Sequence, residues 1–181
     1  MNEEKNIRRI RAAIDQMDDG ILKLIERRLE LAREMSAAKP SGQGHSPLRP
    51  ARESFILERL NQQAVRADTR LIEIIWRELI GQGRQAQGPM RLVLSAGDAT
   101  GLFEECARRH FSSAIPVEWA PSRDAALEAA RKQPAIAVLD ARIDDPDLTP
   151  LGEIKTSAGE TIGFAFARVA AGGKHESQAK F

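Results

Sequence analysis

Tyrosine is absent from the 181 residues, and aromatic side chains make up only 4% of them. So sparse a set argues against a base-stacking platform for single-stranded nucleic acid. A single cysteine, Cys106, excludes an intrachain disulfide and a thiolate metal cluster. Three histidines, His45, His110 and His175, are too scattered to read as a zinc site. Neither sign of charge dominates. The 27 Lys/Arg and 26 Asp/Glu leave a formal charge of +1, which argues against broad binding to a phosphate backbone. No apolar run approaches the ~18 residues that span a bilayer. The charged start, MNEEKNIRR, has no apolar signal region. These absences imply a cytoplasmic protein of one or two small domains that binds neither nucleic acid nor membrane. What is present, 42% apolar and 29% charged residues, is the composition of a folded globular chain.

The charge divides unevenly. Residues 1–89 carry 16 Lys/Arg against 13 Asp/Glu, and residues 90–181 carry 11 against 13. The pattern changes at the same place, where Gly81, Gly83, Gly88 and Pro89 mark a seam. The reading is a helical domain over 1–88, an α/β domain over 90–173 and a flexible tail over 174–181.

In the first part, Ile7, Ile10, Ile14, Met17, Ile21, Leu24 or Ile25, Leu31 and Met35 recur at steps of three and four. That spacing predicts one long helix from Asn6 to Lys39. Pro40 to Pro50 reads as a loop, with a second helix starting near Pro50 and a third capped by Asp68. A helix of this length measures roughly 50 Å. A compact domain of this size has a radius of gyration near ~13 Å. Two shorter helices cannot cover so long an apolar stripe, and an antiparallel helix from a second copy in a two-fold dimer can. The alternative is a helix broken at Gly20 and folded back on itself.

Arg28 and Lys39, 11 residues apart, fall on nearly the same side of that helix, with Cα atoms roughly 16 Å apart. Together they could grip a small dianion. Arg11 lies about 25 Å from Arg28 along the axis. It reaches the same ligand only from the other chain of an antiparallel dimer. The competing reading is that these are solvated face charges, with Asp15, Asp18 and Glu26 as their neighbours.

The run IRRIRAAIDQMDDGILKLIERRLELAREMSAAK, a proline-containing loop, RPARESFILERL and then IIWRELIGQGRQAQ resembles the all-α class of chorismate mutases over about residues 5–88. The resemblance implies an intertwined homodimer of three-helix chains that converts chorismate to prephenate, a step toward phenylalanine and tyrosine. This intramolecular [3,3] rearrangement needs no nucleophile, metal or cofactor. It needs a held substrate conformation and stabilised charge on the breaking ether oxygen. Carried over residue by residue, Arg28 and the other copy's Arg11 would bind the substrate carboxylates, to which a guanidinium fork is suited. Lys39 and Gln87 would donate to the ether oxygen, and Glu53 would accept from the ring hydroxyl. Arg52 would support orientation nearby, and Met35 and Ile80 would line the apolar wall. Two positions depart from the family pattern. Arg49 stands where an acidic residue is frequent, and Gly83 where a serine is common. Gln85 is a rival to Gln87, because the glycines blur the register.

The second part alternates short apolar runs with helical stretches, which predicts a parallel or mixed α/β sheet. Strands are expected at 90–97, at IPVEWA, at 135–141 and at TIGFAFARVA. Helices are expected from Leu102 to Phe111 and over RDAALEAARK, with Ser122 or Asp124 as cap, while IDDPDLTP reads as a turn-rich loop. The order of elements weakly resembles the first lobe of prephenate dehydratase, truncated. Its glycine-proline-x-glycine-threonine-phenylalanine turn is replaced by AGDATGLF, and no threonine-arginine-phenylalanine motif occurs, so that activity is not expected. Asp98, Thr100, Asp140, Thr156 and Ser157 read as turn and capping residues. Cys106 reads as core, and His110 as a surface residue at a helix end. Two other functions fit the same helices: an isochorismate pyruvate-lyase, and a catalytically inactive dimeric regulatory module.

Overall fold

The computed structural model of the protein describes residues 2–38, 48–97, 100–132 and 134–169. Lys39, most of the expected loop after it and the expected tail lie outside the described residues.

Three helices come first: α1 (Asn2–Ala37), α2 (Pro50–Gln63) and α3 (Thr69–Gln87). α1 begins four residues earlier than the periodicity predicts and runs unbroken through Gly20, so the folded-back alternative does not hold. At ~1.5 Å per residue it is about 54 Å long. α2 starts with proline in its first turn, where the missing N–H costs nothing. Asp68 caps α3 as expected, its carboxylate accepting from the Leu71 amide at 2.7 Å.

Among the described residues, only the end of α1 has a neighbour within the chain. Arg28 donates to the Leu79 carbonyl, and Ser36 Oγ donates to the Gln87 carbonyl at 2.8 Å. Between them Ala32 faces Gly83. A constant offset of 51 residues means that α1 and α3 run in the same direction here. N-terminal to this contact every described side chain from Glu3 to Asp19 is exposed. The stripe of Ile7, Ile10, Ile14, Met17, Ile21 and Leu24 has no cover, with Leu24 73% exposed. No described helix is long and apolar enough to cross a membrane.

After Gly88 the chain forms a five-stranded mixed sheet from β1 (Arg91–Ser95), β2 (Val117–Trp119), β3 (Ala135–Leu139), β4 (Thr149–Lys155) and β5 (Thr161–Ala167). The strand order is β2-β1-β3-β5-β4, with β2, β1 and β3 parallel and β5 antiparallel to both β3 and β4. Two helices, α4 (Thr100–Phe111) and α5 (Arg123–Lys132), cover its two faces. Alternation along the strands separates two cores. Leu92, Leu94, Ile136 and Val138 pack in the core that holds Phe103 and Cys106 of α4, whereas Val93, Ala135, Ala137 and Leu139 pack with Ala126 and Ala130 of α5. Cys106 is buried core, as expected. Ser122 supplies the cap of α5, accepting from the Ala125 amide at 3.2 Å.

β4 is the element that the sequence reading missed. Thr149 and Pro150 were expected in a loop, yet they open an edge strand. An edge tolerates proline because one row of its amides faces outward. Irregular register at Pro150/Gly152 also hides the strand period.

The helical and α/β parts meet closely. Leu48, just before α2, is 1% exposed within the α4-side core. Gly81 of α3 lies against Ser112, which follows α4 and holds φ 140°, a conformation that L residues rarely adopt. Glu78 secures that turn, accepting from Ser112 Oγ at 2.9 Å and from Ser113 Oγ at 2.9 Å. A methyl at position 81 would stand 2.0 Å from Ser112 Cβ. Gly81→Ala should therefore destabilise the protein by about 1–3 kcal/mol in urea unfolding. Part of the loss should return in Gly81→Ala/Ser112→Gly, which removes the opposing side chain and relaxes the backbone. Additive losses in the double variant would contradict this contact.

Candidate functional site

α3 presents different faces to its neighbours, and the expected site residues divide between two of them. On the face toward α1 stands Arg28. Its guanidinium is half-buried, and desolvation lowers its pKa from the ordinary arginine value without discharging it. It donates to the Leu79 carbonyl and lies close to Gly83, where a Cβ would come within 3.5 Å of Nη1. A side chain there would meet Arg28 and Ala32 at ordinary contact distance, so Gly83 lies against the guanidinium. Gln87 sits one turn beyond, its Nε2 donating to the Gly83 carbonyl at 3.1 Å. Gln85 instead donates to the Met90 carbonyl at 2.6 Å, which ties it to the connection into β1. Arg28, Gly83 and Gln87 thus share one seam.

The second face looks toward α2. Glu53 does not stand open to accept a hydroxyl. Both of its oxygens are engaged by Arg84, Oε1 from Nε at 3.0 Å and Oε2 from Nη2. Arg84 is 5% exposed, and the ring of Phe111 from the α/β part lies 5.9 Å from its guanidinium carbon. Ile80 is buried on the same face of α3.

Three expected residues are not drawn into either arrangement. Arg11 lies on the uncovered part of α1 and Met35 is exposed. Arg52 is exposed, with its guanidinium 5.3 Å from the centre of the Phe55 ring. Lys39 lies outside the described residues. Arg49 donates to the Leu48 carbonyl at 2.9 Å. Asp15 and Asp18 are exposed on α1. In the α/β part, Asp140 accepts from the Gly97 amide at 3.0 Å and from Arg123 Nε at 2.8 Å, and Thr156 accepts from the Glu160 amide at 3.2 Å, as turn residues do. Among the described residues no cluster of three or more His, Cys, Asp or Glu is placed to hold a metal.

Sequence reasoning missed the cavity of about 140 Å³ where α2, α3 and the α/β part meet. Arg77, Arg84, His110 and Glu53 line it together with Phe111. Arg77 bridges the two parts, donating Nη1 to the His110 carbonyl at 2.9 Å. The signal was present: Arg77, Ile80 and Arg84 recur at three and four residues, placing two arginines on an otherwise apolar, glycine-bearing helix face. The expectation that His110 is a surface residue is corrected. It lines this cavity, and burial, with Arg77 and Arg84 nearby, pushes its pKa down to about 4.

Residues 10–88 match the family described as Chorismate mutase type II. The match covers the helical part and leaves the α/β part outside it. A curated relative from Pseudomonas aeruginosa, "Bifunctional chorismate mutase/prephenate dehydratase", is 24% identical over 120 residues, 64% of this chain and 33% of the relative. The chain thus spans about a third of the relative's length. No solved structure matches the chain significantly.

The lowered pKa of His110 has a consequence for stability. An unfolded histidine binds its proton near pH 6.5 and the folded one only near 4. The contribution is complete above about pH 6.5 and is lost as pH falls toward 4. Its size is on the order of 3 kcal/mol. Urea unfolding at pH 7 and pH 4.5 should show a steeper acid loss in the wild type than in His110→Gln. Equal losses would contradict the burial of a neutral imidazole here.

Proposed function

We propose that the protein is a chorismate mutase. The observation that carries this reading is the family match over 10–88 together with the seam that gathers Arg28, Gly83 and Gln87 between α1 and α3. The substrate is chorismate and the product prephenate. One ether C–O bond breaks as one C–C bond forms within the same molecule, so nothing is added or lost. A half-buried arginine suits the first requirement, holding a carboxylated substrate in a reactive conformation. Arg28 binds one carboxylate and Arg11 of a second copy binds the other. Lys39 and Gln87 donate to the ether oxygen as it gains negative charge, where a positioned donor acts most strongly. Gln87 Nε2 now rests on its own helix, a bond of the kind that substrate can replace.

Glu53 accepts from the ring hydroxyl once one of its oxygens is released by Arg84, which orients the carboxylate and competes for it. Arg52 supports orientation. Ile80 contributes an apolar wall, and Met35 joins it once α1 is covered. Gly83 lies against Arg28 and leaves its guanidinium facing the seam. The occupant of the uncovered α1 stripe is a second copy of α1, packed antiparallel, which brings its Arg11 toward Arg28. The protein works as a cytoplasmic homodimer in aromatic amino-acid biosynthesis.

Purified protein should convert chorismate to prephenate, identified by its acid-catalysed conversion to phenylpyruvate. It should not release pyruvate from isochorismate. Arg28→Ala and Lys39→Ala should each lower kcat/KM by about 100-fold or more. Arg11→Ala and Arg28→Ala chains, each weak alone, should regain activity when mixed into heterodimers, since one of the two sites then holds both arginines. Pyruvate release, or turnover unaffected by Lys39→Ala, would overturn the assignment.

A further inference from the structure

We propose that the cavity between the helical and α/β parts is a binding site for a small monocarboxylate with a compact apolar body, distinct from the seam that holds Arg28. Arg84 carries the argument. Its side chain is 5% exposed and Glu53 satisfies two of its nitrogens, but Nη1 is buried with no hydrogen-bond partner among the described residues. A buried guanidinium nitrogen without an acceptor is costly, and so signals a missing partner.

The charge around the cavity is unbalanced in the same sense. Arg77 and Arg84 line it against one carboxylate, Glu53, and His110 is neutral near pH 7. Glu73 approaches Arg77 only at 4.0 Å, and Glu78 is occupied by the Ser112–Ser113 turn. One net positive charge remains, which matches one carboxylate. The imidazole of His110 makes no hydrogen bond to a described residue, leaving a further polar group for a ligand.

Size and lining define the rest of the ligand. Leu57, Ile80, Phe111 and Leu151 supply apolar surface from both parts of the chain. The volume, about 140 Å³, is close to the roughly 150 Å³ that accommodates a benzene ring. A ring-sized body with its carboxylate on Arg84 Nη1 and Arg77 fits both the space and the charge. The site does not depend on the mutase reading, because neither of its arginines belongs to the Arg28 seam. It shares Ile80, as apolar wall, and Glu53, through which an occupant would compete for Arg84.

Calorimetric titration of the full chain with benzoate, and with the neutral benzyl alcohol as control, tests this. Benzoate should bind saturably, one per chain, and at least about tenfold more tightly than benzyl alcohol. Arg84→Lys, which keeps the charge but loses the planar fork, should weaken benzoate by about tenfold or more. Leu57→Phe, which fills the cavity and leaves the cations in place, should abolish binding, and Arg28→Ala should leave it unchanged. Circular dichroism would establish that each variant is folded. Absence of saturable binding would mean that the cavity holds only water. That result, equal affinity for benzyl alcohol, an unaffected Arg84→Lys, or loss in Arg28→Ala would each overturn the proposal.

Discussion

The structure depends on a length mismatch. α1 extends about 54 Å, while the described residues of its own chain hydrogen-bond to it only from Arg28 onward. Seven large apolar side chains before that point face solvent, six of them in a contiguous stripe of the kind that marks an association surface. Each such side chain contributes about 1.5–3 kcal/mol when fully buried, so the stripe represents a large unrealised stabilisation. The same mismatch separates Arg11 from Arg28 by about 25 Å. A single chain can present one of these cations to a small ligand but not both.

α3 is the element through which the remaining parts communicate. One face meets α1 through Leu79 and Gly83, the next meets α2 through Ile80 and Arg84, and a third meets the α/β part through Arg77, Glu78 and Gly81. The contact at Gly81 admits no side chain, and the Ser112 turn opposite it is held by Glu78. The α/β part is thereby fixed against the helix that carries Gly83 and Gln87. Arg84, paired with Glu53 of α2, also has its guanidinium carbon 5.9 Å from the Phe111 ring of the α/β part. An α/β part so docked has a physical route to the residues of the proposed mutase site.

Much of this was legible in the sequence. Steps of three and four fixed the long helix, Asp68 and Pro50 fixed two helix starts, and alternating apolar runs marked the strands. β4 was not legible, because Pro150 and Gly152 are turn residues in most settings and only an irregular edge strand accommodates them. Gly83 and Gln87 were named from the resemblance, with Gln85 as a rival, and the parallel run of α1 and α3 brings them to one seam with Arg28. The pairing of Glu53 with Arg84 was not, since it depends on how α2 turns toward α3 across a loop that no periodicity constrains. The cavity was hidden for a further reason: its lining comes from three separated stretches of chain, and His110 shows its role only where α4 ends against α3.

The most direct measurement is sedimentation equilibrium at micromolar concentration. The account predicts a species of twice the 20.0 kDa chain mass. It predicts that Ile14→Glu/Met17→Glu, which charges the middle of the uncovered stripe, shifts that species to the monomer and removes mutase activity. A wild-type chain that sediments as a folded, active monomer would contradict the central claim that a second copy completes the α1 stripe and the site.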